Sequence, residues 1–200
     1  MGSLYLAILH YPVYDLQRKI VPTTVTTLDV HDTARIARTY GIAKVFIVTP
    51  LQSQHALVQR LLTHWREGAG ARLKPTRKEA LETIDLSYEL PDVVRRVTDR
   101  EGSRPRTVAT HANRLGREMT AGACRVLLQK DDRPMLLLFG TGCGLARSVV
   151  DETDFSLEPI EGPTEWNHLP VRAAVAIMVD RLLGRQEEGT DESGNHYAAR

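Results

Sequence analysis

The chain holds only two cysteines, Cys124 and Cys143. They form no C-x-x-C motif and show no zinc-site spacing, so they read as the reduced thiols of a soluble, cytoplasmic protein. The seven histidines contain no H-x-H or H-E-x-x-H pair, which leaves a metal centre without a ligand set. No apolar run is long enough to cross a bilayer, and no hydrophobic leader follows Met1, so a membrane protein is not expected. A charge excess is missing too: the net charge is +1, and nothing global attracts nucleic acid.

The charge that is present is uneven. Residues 60–78 carry Arg60, Arg66, Arg72, Lys74, Arg77 and Lys78 against Glu67 alone. Residues 93–117 carry seven arginines against Asp99 and Glu101. Local basic patches on a neutral chain suit either an RNA-binding face or ordinary solvated helix ends. At 200 residues and 42% hydrophobic, the chain suits one domain with a sizeable core. That domain is expected over residues 1–184. The remainder, RQEEGTDESGNHYAAR from Arg185, lacks apolar spacing and reads as a flexible polar tail over residues 185–200.

Strand-like and helix-like patterns alternate. Leu4–Tyr11 reads as a strand stopped by Pro12, and Asp29 as the cap of a helix ending at Gly41. KVFIVT (44–49) is a second strand, followed by an amphipathic helix through Trp65 that Gly68 stops. Weaker patterns place a strand at 81–86, a helix at 91–100, a strand at 107–110 and a helix at 116–129. Then PMLLLF (134–139) gives a buried strand that empties into Gly140, Thr141, Gly142, Cys143 and Gly144. A further strand ends in a turn containing Pro159, Gly162 and Pro163. The last helix, 171–183, has almost no polar side, so burial all round is expected. Alternation of this kind predicts an α/β fold, a mostly parallel sheet with helices on both faces.

Two glycine-rich turns at strand ends suit a ligand held largely by backbone groups, because glycine lets main chain approach closely. Gly142-x-Gly144-x-Ala146 comes near a dinucleotide fingerprint. That fingerprint belongs after the first strand of its fold, however, and here too little chain follows the turn.

The segment PMLLLFGTGCGLA with FSLEPIEGPTEWNHLPVRAAVAIMVDRLLG resembles the C-terminal half of a SPOUT methyltransferase. Upstream, LAILHYPVY, VTTLDVHDTARIARTYG and VFIVTPLQSQHALVQRLLTHWREG are similar to a bacterial SPOUT-class family of RNA methyltransferases dependent on S-adenosylmethionine. The resemblance runs over residues 4–184 in order. It implies a C-terminal trefoil knot, S-adenosylmethionine as methyl donor, tRNA or rRNA as substrate, and an active site at a homodimer interface.

By the same resemblance the donor would be held by Thr110, Gly140, Thr141, Gly142, Gly144, Pro159, Ile160, Gly162, Leu169, Val171 and Arg172. Pro159 and Ile160 would lie against the adenine. Pro170 departs from the small polar residue the class often carries there, which excludes a side-chain hydrogen bond. His111 and Asn113 are candidates to face the acceptor, whereas His10, ending the first strand, reads as a core or turn histidine. Transfer needs alignment and removal of a proton, for which Glu161, Glu165 and His168 are candidates. Arg172 or Arg114 would hold a phosphate. Two alternatives stay open: a nucleotide-binding oxidoreductase or transferase on a doubly wound sheet, and a non-catalytic RNA-binding protein that keeps the donor pocket.

Overall fold

A computed structural model describes residues 2–185. In chain order the first half comprises β1 (Leu4–Leu9), β2 (Val13–Tyr14), β3 (Ile20–Val21), α1 (Thr27–Tyr40), β4 (Lys44–Val48) and α2 (Gln52–Arg66). It continues with α3 (Ala69–Leu73), α4 (Pro75–Leu81), β5 (Ile84–Ser87) and α5 (Leu90–Glu101). The second half comprises β6 (Arg106–Ala109), α6 (Ala121–Lys130), β7 (Met135–Gly140), α7 (Arg147–Asp151), β8 (Phe155–Ser156) and α8 (Val171–Leu183). Nearly all of the expected tail, residues 186–200, lies outside the described residues.

Six strands form one sheet in the order β5-β4-β1-β7-β6-β8, every pairing parallel. A parallel sheet covered on both faces needs strands that are apolar throughout. LYLAIL and MLLLF meet that demand, with every residue buried. One core layer joins Leu6, Ile8, Ile47 and Leu137 to Ala34, Val58, Leu81, Leu128 and Val175, so α1, α2, α4, α6 and α8 share a face. The other joins Tyr5, Phe46 and Leu138 to Val93, Val97 and Val149, from α5 and α7.

Counted along the chain, the six strands lie in the lateral order 3-2-1-5-4-6. A nicotinamide-dinucleotide fold runs 3-2-1-4-5-6. The exchange of β6 and β7 and the five-residue α7 after the glycine turn speak against that alternative.

Several boundaries differ from expectation. Thr26, not Asp29, caps α1; Asp29 completes a capping box as the third helical residue and reaches back to Thr26. The helix expected from Gly116 begins only at Ala121. Met119 donates to Ser156 O at 2.9 Å, holding that stretch extended, and the Thr120 hydroxyl caps the helix at Ala123 N. The strand expected at 81–86 is displaced to Ile84–Ser87, because Leu81 still belongs to α4. Finally, α8 is not buried all round within one chain. Val175, Met178, Val179 and Leu182 are buried, Ala173, Ala174, Ala176 and Ile177 are half-buried, and Asp180 and Arg181 are exposed.

Candidate functional site

In a parallel sheet all strands end at one edge, and ligands bind beyond their carboxyl ends where neighbouring connections diverge. Here β1 connects towards β4 and β7 towards β8, so the divergence lies between β1 and β7. The chain fills that crevice itself. Val13 bridges Leu145, Tyr14 N donates to Gly144 O (2.9 Å), Cys143 N to Tyr14 O (2.8 Å) and Ala146 N to Pro12 O (3.0 Å).

This changes the reason for two glycines. A Cβ on Gly140 would lie 2.5 Å from Leu145 N, and one on Gly142 would lie 2.8 Å from Tyr14 O at a left-handed φ of 58°. The chain's own packing demands glycine there. Gly144 and Gly162 are different: a Cβ at either meets nothing within 4 Å. They border open space.

Behind the turn, Thr141 donates from both its amide and its hydroxyl to Leu9 O, and its hydroxyl meets that of Thr23. Thr23 Oγ1 lies 3.0 Å from His10 Nδ1. His10 is fully buried, its Nε2 has no partner, and burial holds its pKa down at about 4, so the ring is neutral.

The loop after β6 begins at Thr110, whose amide and hydroxyl both donate to Leu138 O, at 3.0 and 2.9 Å. His111 follows. Its Nδ1 bonds Asn113 O, and because a carbonyl only accepts, Nδ1 carries the proton. That leaves Nε2 a bare acceptor, buried and without a partner, and burial lowers the pKa of the ring. An orphaned acceptor beside Thr110 was not legible in the sequence, which shows only a histidine after a strand.

The loop after β8 carries the remaining candidates, and Leu157 docks it by donating to Ala109 O at 2.9 Å. Pro159 is buried and Ile160 half-buried, whereas residues 161–170 are exposed apart from half-buried Asn167. Two contacts tie this loop to the one after β6. Arg114 grips Glu161 bidentately, at 2.8 and 2.6 Å, and Asn167 Nδ2 donates to Ala112 O at 2.7 Å. The guanidinium holds the Glu161 carboxyl below the usual carboxylate range, which makes it a poor base. His168 packs edge-on against exposed Trp166, with centroids 4.9 Å apart. Glu165 and Leu169 are exposed. Arg172, in the first turn of α8, reaches Asp32 of α1 at 3.2 Å. Pro170 offers no side-chain acceptor, so the amides of Val171 and Arg172 have no capping side chain.

A cavity of about 910 Å³ opens between α6 and the loop after β8. Arg114, Arg125, Glu158, Pro159, Glu161 and Arg181 are among its lining residues. It brings Pro159 and Glu161 together but does not reach the glycine turn or residues 169–172.

The basic clusters of the sequence are dispersed by the fold. Arg66 donates to the carbonyls of Leu81 and Ile84, Arg96 pairs with Asp85, Arg104 with Asp154, Arg106 with Asp131 and Arg117 with Asp151. Arg104 and Arg106 stand at the amino edge of the sheet, and Arg114 and Arg117 at the carboxyl edge. Both cysteines are free, Cys124 buried and Cys143 exposed. Among the described residues no group of three His, Cys, Asp or Glu could hold a metal ion, and no helix is long and apolar enough to cross a membrane.

Residues 3–184 match the family described as SAM-dependent RNA methyltransferase. An uncharacterized protein from Aquifex aeolicus is 40% identical over 183 residues, covering 92% of this chain and 89% of that protein. A tRNA (guanine-N(1)-)-methyltransferase from Nitratidesulfovibrio vulgaris is 41% identical over 182 residues. That match covers 91% of this chain but only 42% of that protein, so the chain spans less than half of this relative. The fold is also that of the A. aeolicus TrmH/SpoU tRNA modifying enzyme, with a TM-score of 0.55 at 12% identity over 92% of this chain and 75% of that one.

Proposed function

The chain belongs to the family of SAM-dependent RNA methyltransferases, and on that premise we propose that it methylates tRNA or rRNA, in the cytoplasm, at a site formed by the loops after β6, β7 and β8. One observation carries this location. Gly144 and Gly162, from separate loops beyond the carboxyl ends of β7 and β8, both leave room where a Cβ would meet nothing, and the start of α8 that follows the second loop has no side-chain cap. S-adenosylmethionine supplies an electrophilic methyl group on a sulfonium.

The residues present fit such a ligand. The amides of Thr141, Cys143, Gly144 and Ala146 and the carbonyls of Thr141, Gly144 and Ala146 are already used within the chain, so the carbonyl oxygens of Gly142 and Cys143 would be among the groups left for a ligand. Those suit the donor amines of the adenine and the amino acid moiety. Ile160 and Leu169 would cover the apolar faces, and the free amides at Val171 and Arg172 suit a carboxylate. Thr110, Gly140, Gly142 and Pro159 would shape the walls. Glu161, bound to Arg114, would fasten the loops rather than take a proton. Glu165 and His168 are then the candidates on this loop to accept the proton of a ring N–H or hydroxyl.

The exchanged order of β6 and β7 supports a C-terminal trefoil knot of the SPOUT kind. The half-buried residues of α8, with exposed Val126, Trp166 and Leu169 nearby in the fold, support a homodimer that covers them. The test is mass spectrometry of RNA from a strain lacking the gene. A missing methyl mark, restored by the intact gene but not by a Gly162→Val copy, is expected. An unchanged set of methyl marks would contradict the proposal.

A further inference from the structure

Tyr88 directly follows β5, and His55 lies in the first turns of α2. Their rings stack with centroids 3.7 Å apart and planes 6° from parallel. The imidazole is itself anchored: Nε2 donates to the carbonyl of Thr49, at 2.9 Å, just beyond the end of β4. Neighbouring strands β4 and β5 thus fix one ring and then the other. Tyr88 nevertheless remains 54% exposed. Single exposed aromatics are common on protein surfaces. This one differs in having one face already held and in its place in the fold.

That place is the carboxyl edge of the sheet, where the glycine turn also lies. The exits of β5, β4 and β1 present Tyr88, Leu51 and Tyr11 in succession, all exposed. The glycine turn follows at the next strand, β7. Tyr88 is therefore about three strand spacings, roughly 14 Å, from that turn. A short stretch of RNA flanking the reacting nucleotide can cover such a distance. The charge at this spot does not favour phosphate: Glu89 and Asp92 lie beside Tyr88, and Asp92 is taken up by Ser87, Arg95 and Arg96. The chemistry offered is an aromatic face, which stacks any unpaired base.

We propose that the Tyr88–His55 stack is a platform for an unpaired base of the RNA substrate, flanking the nucleotide that receives the methyl group. The inference rests on the RNA methyltransferase reading and adds a binding subsite to it. Stacking contributes affinity without neutralising phosphate, so loss of the platform weakens binding and leaves its salt dependence unchanged.

The experiment uses the full chain with S-adenosylhomocysteine. Two probes are titrated: a single-stranded oligoribonucleotide containing 2-aminopurine, and total tRNA from a strain lacking the gene. Tyr88→Ala should bind both about tenfold more weakly and lose the quenching of 2-aminopurine, while Tyr88→Phe stays within about twofold of the parent. His55→Ala, which frees the Tyr88 ring, should fall between them. Donor affinity and circular dichroism should match the parent in both Tyr88 variants, since Tyr88 is exposed. RNA affinity and quenching unchanged in Tyr88→Ala would overturn the platform and leave the methyltransferase reading standing. A parent protein that binds the donor but neither RNA would overturn both. Loss of a protein partner, with RNA binding intact, would make the surface a protein-docking site and would also refute the proposal.

Discussion

Thr23 and Thr141 stand 118 residues apart in the sequence and share a hydrogen bond between their hydroxyls. Through Thr23 that bond reaches His10 Nδ1, and through Thr141 it reaches Leu9 O. It fastens the glycine turn to the exit of the central strand. The turn is consequently a wall that the chain builds for itself, packed against residues 12–14 and Thr23.

The buried end of this network makes stability depend on pH. Folding holds His10 neutral with its pKa lowered from 6.5 to about 4, so the unfolded chain takes up a proton first as the solution is acidified. Stability is complete above pH 6.5 and falls as pH drops towards 4, by about 2 kcal/mol at pH 5. Urea titrations at about pH 7.5 and at pH 5 should show that loss for the parent and much less of it for His10→Gln. Equal losses in both proteins would remove His10 as the cause.

The glycines separate packing from binding. Gly142→Ala places a Cβ against Tyr14 O at a left-handed φ and should cost about 1–3 kcal/mol of stability, seen as a lower melting temperature with or without ligand. Gly162→Ala meets nothing within 4 Å and should melt like the parent. If Gly142→Ala were fully stable yet failed to bind donor, the turn would be a ligand cradle after all.

The arginines should divide by sheet edge rather than by sequence cluster. Arg114→Gln, at the carboxyl edge, should weaken RNA binding and reduce the salt slope by about one. Arg104→Gln, at the amino edge beside Asp154, should change neither. Because Arg114 and Glu161 are an exposed pair, melting temperature should hardly move. Filter binding at two salt concentrations decides it; an equal effect of both substitutions would contradict the assignment.

Val126 is 46% exposed and lines the cavity beside α6. Val126→Glu should leave the fold intact and convert a dimer to monomer in analytical ultracentrifugation. An unaltered dimer would move the interface elsewhere, and a monomeric parent would remove it.

What was legible in the sequence follows from how far each signal reaches along the chain. LYLAIL, VFIV and MLLLF are apolar without interruption, and α1 and α2 carry helical spacing, so these elements could be placed from the residues alone. β8 could not be delimited, because two residues held by Thr107, Ala109 and Met119 carry no period of their own. The start of α6 was misplaced for a similar reason: what stops it is Met119 bonding to Ser156, a contact between distant residues. The sequence marks Gly140 and Gly142 as a glycine-rich turn, but it cannot separate a glycine that makes room for Tyr14 from one that makes room for a ligand. The orphaned Nε2 of His111 and the ion pairing of the arginine clusters depend on partners far along the chain, and no local pattern announces them.

The claim tested most directly is that the open side of the three loops holds S-adenosylmethionine. Isothermal titration calorimetry of the parent and of Gly162→Val with S-adenosylmethionine, its demethylated product and a nicotinamide dinucleotide is the decisive measurement. Saturable binding of the first two by the parent, at least tenfold weaker in a Gly162→Val protein of unchanged melting temperature, and no binding of the dinucleotide is the expected result, tenfold being about 1.4 kcal/mol. Tight binding of the dinucleotide with none of either methyl-donor compound would contradict the account.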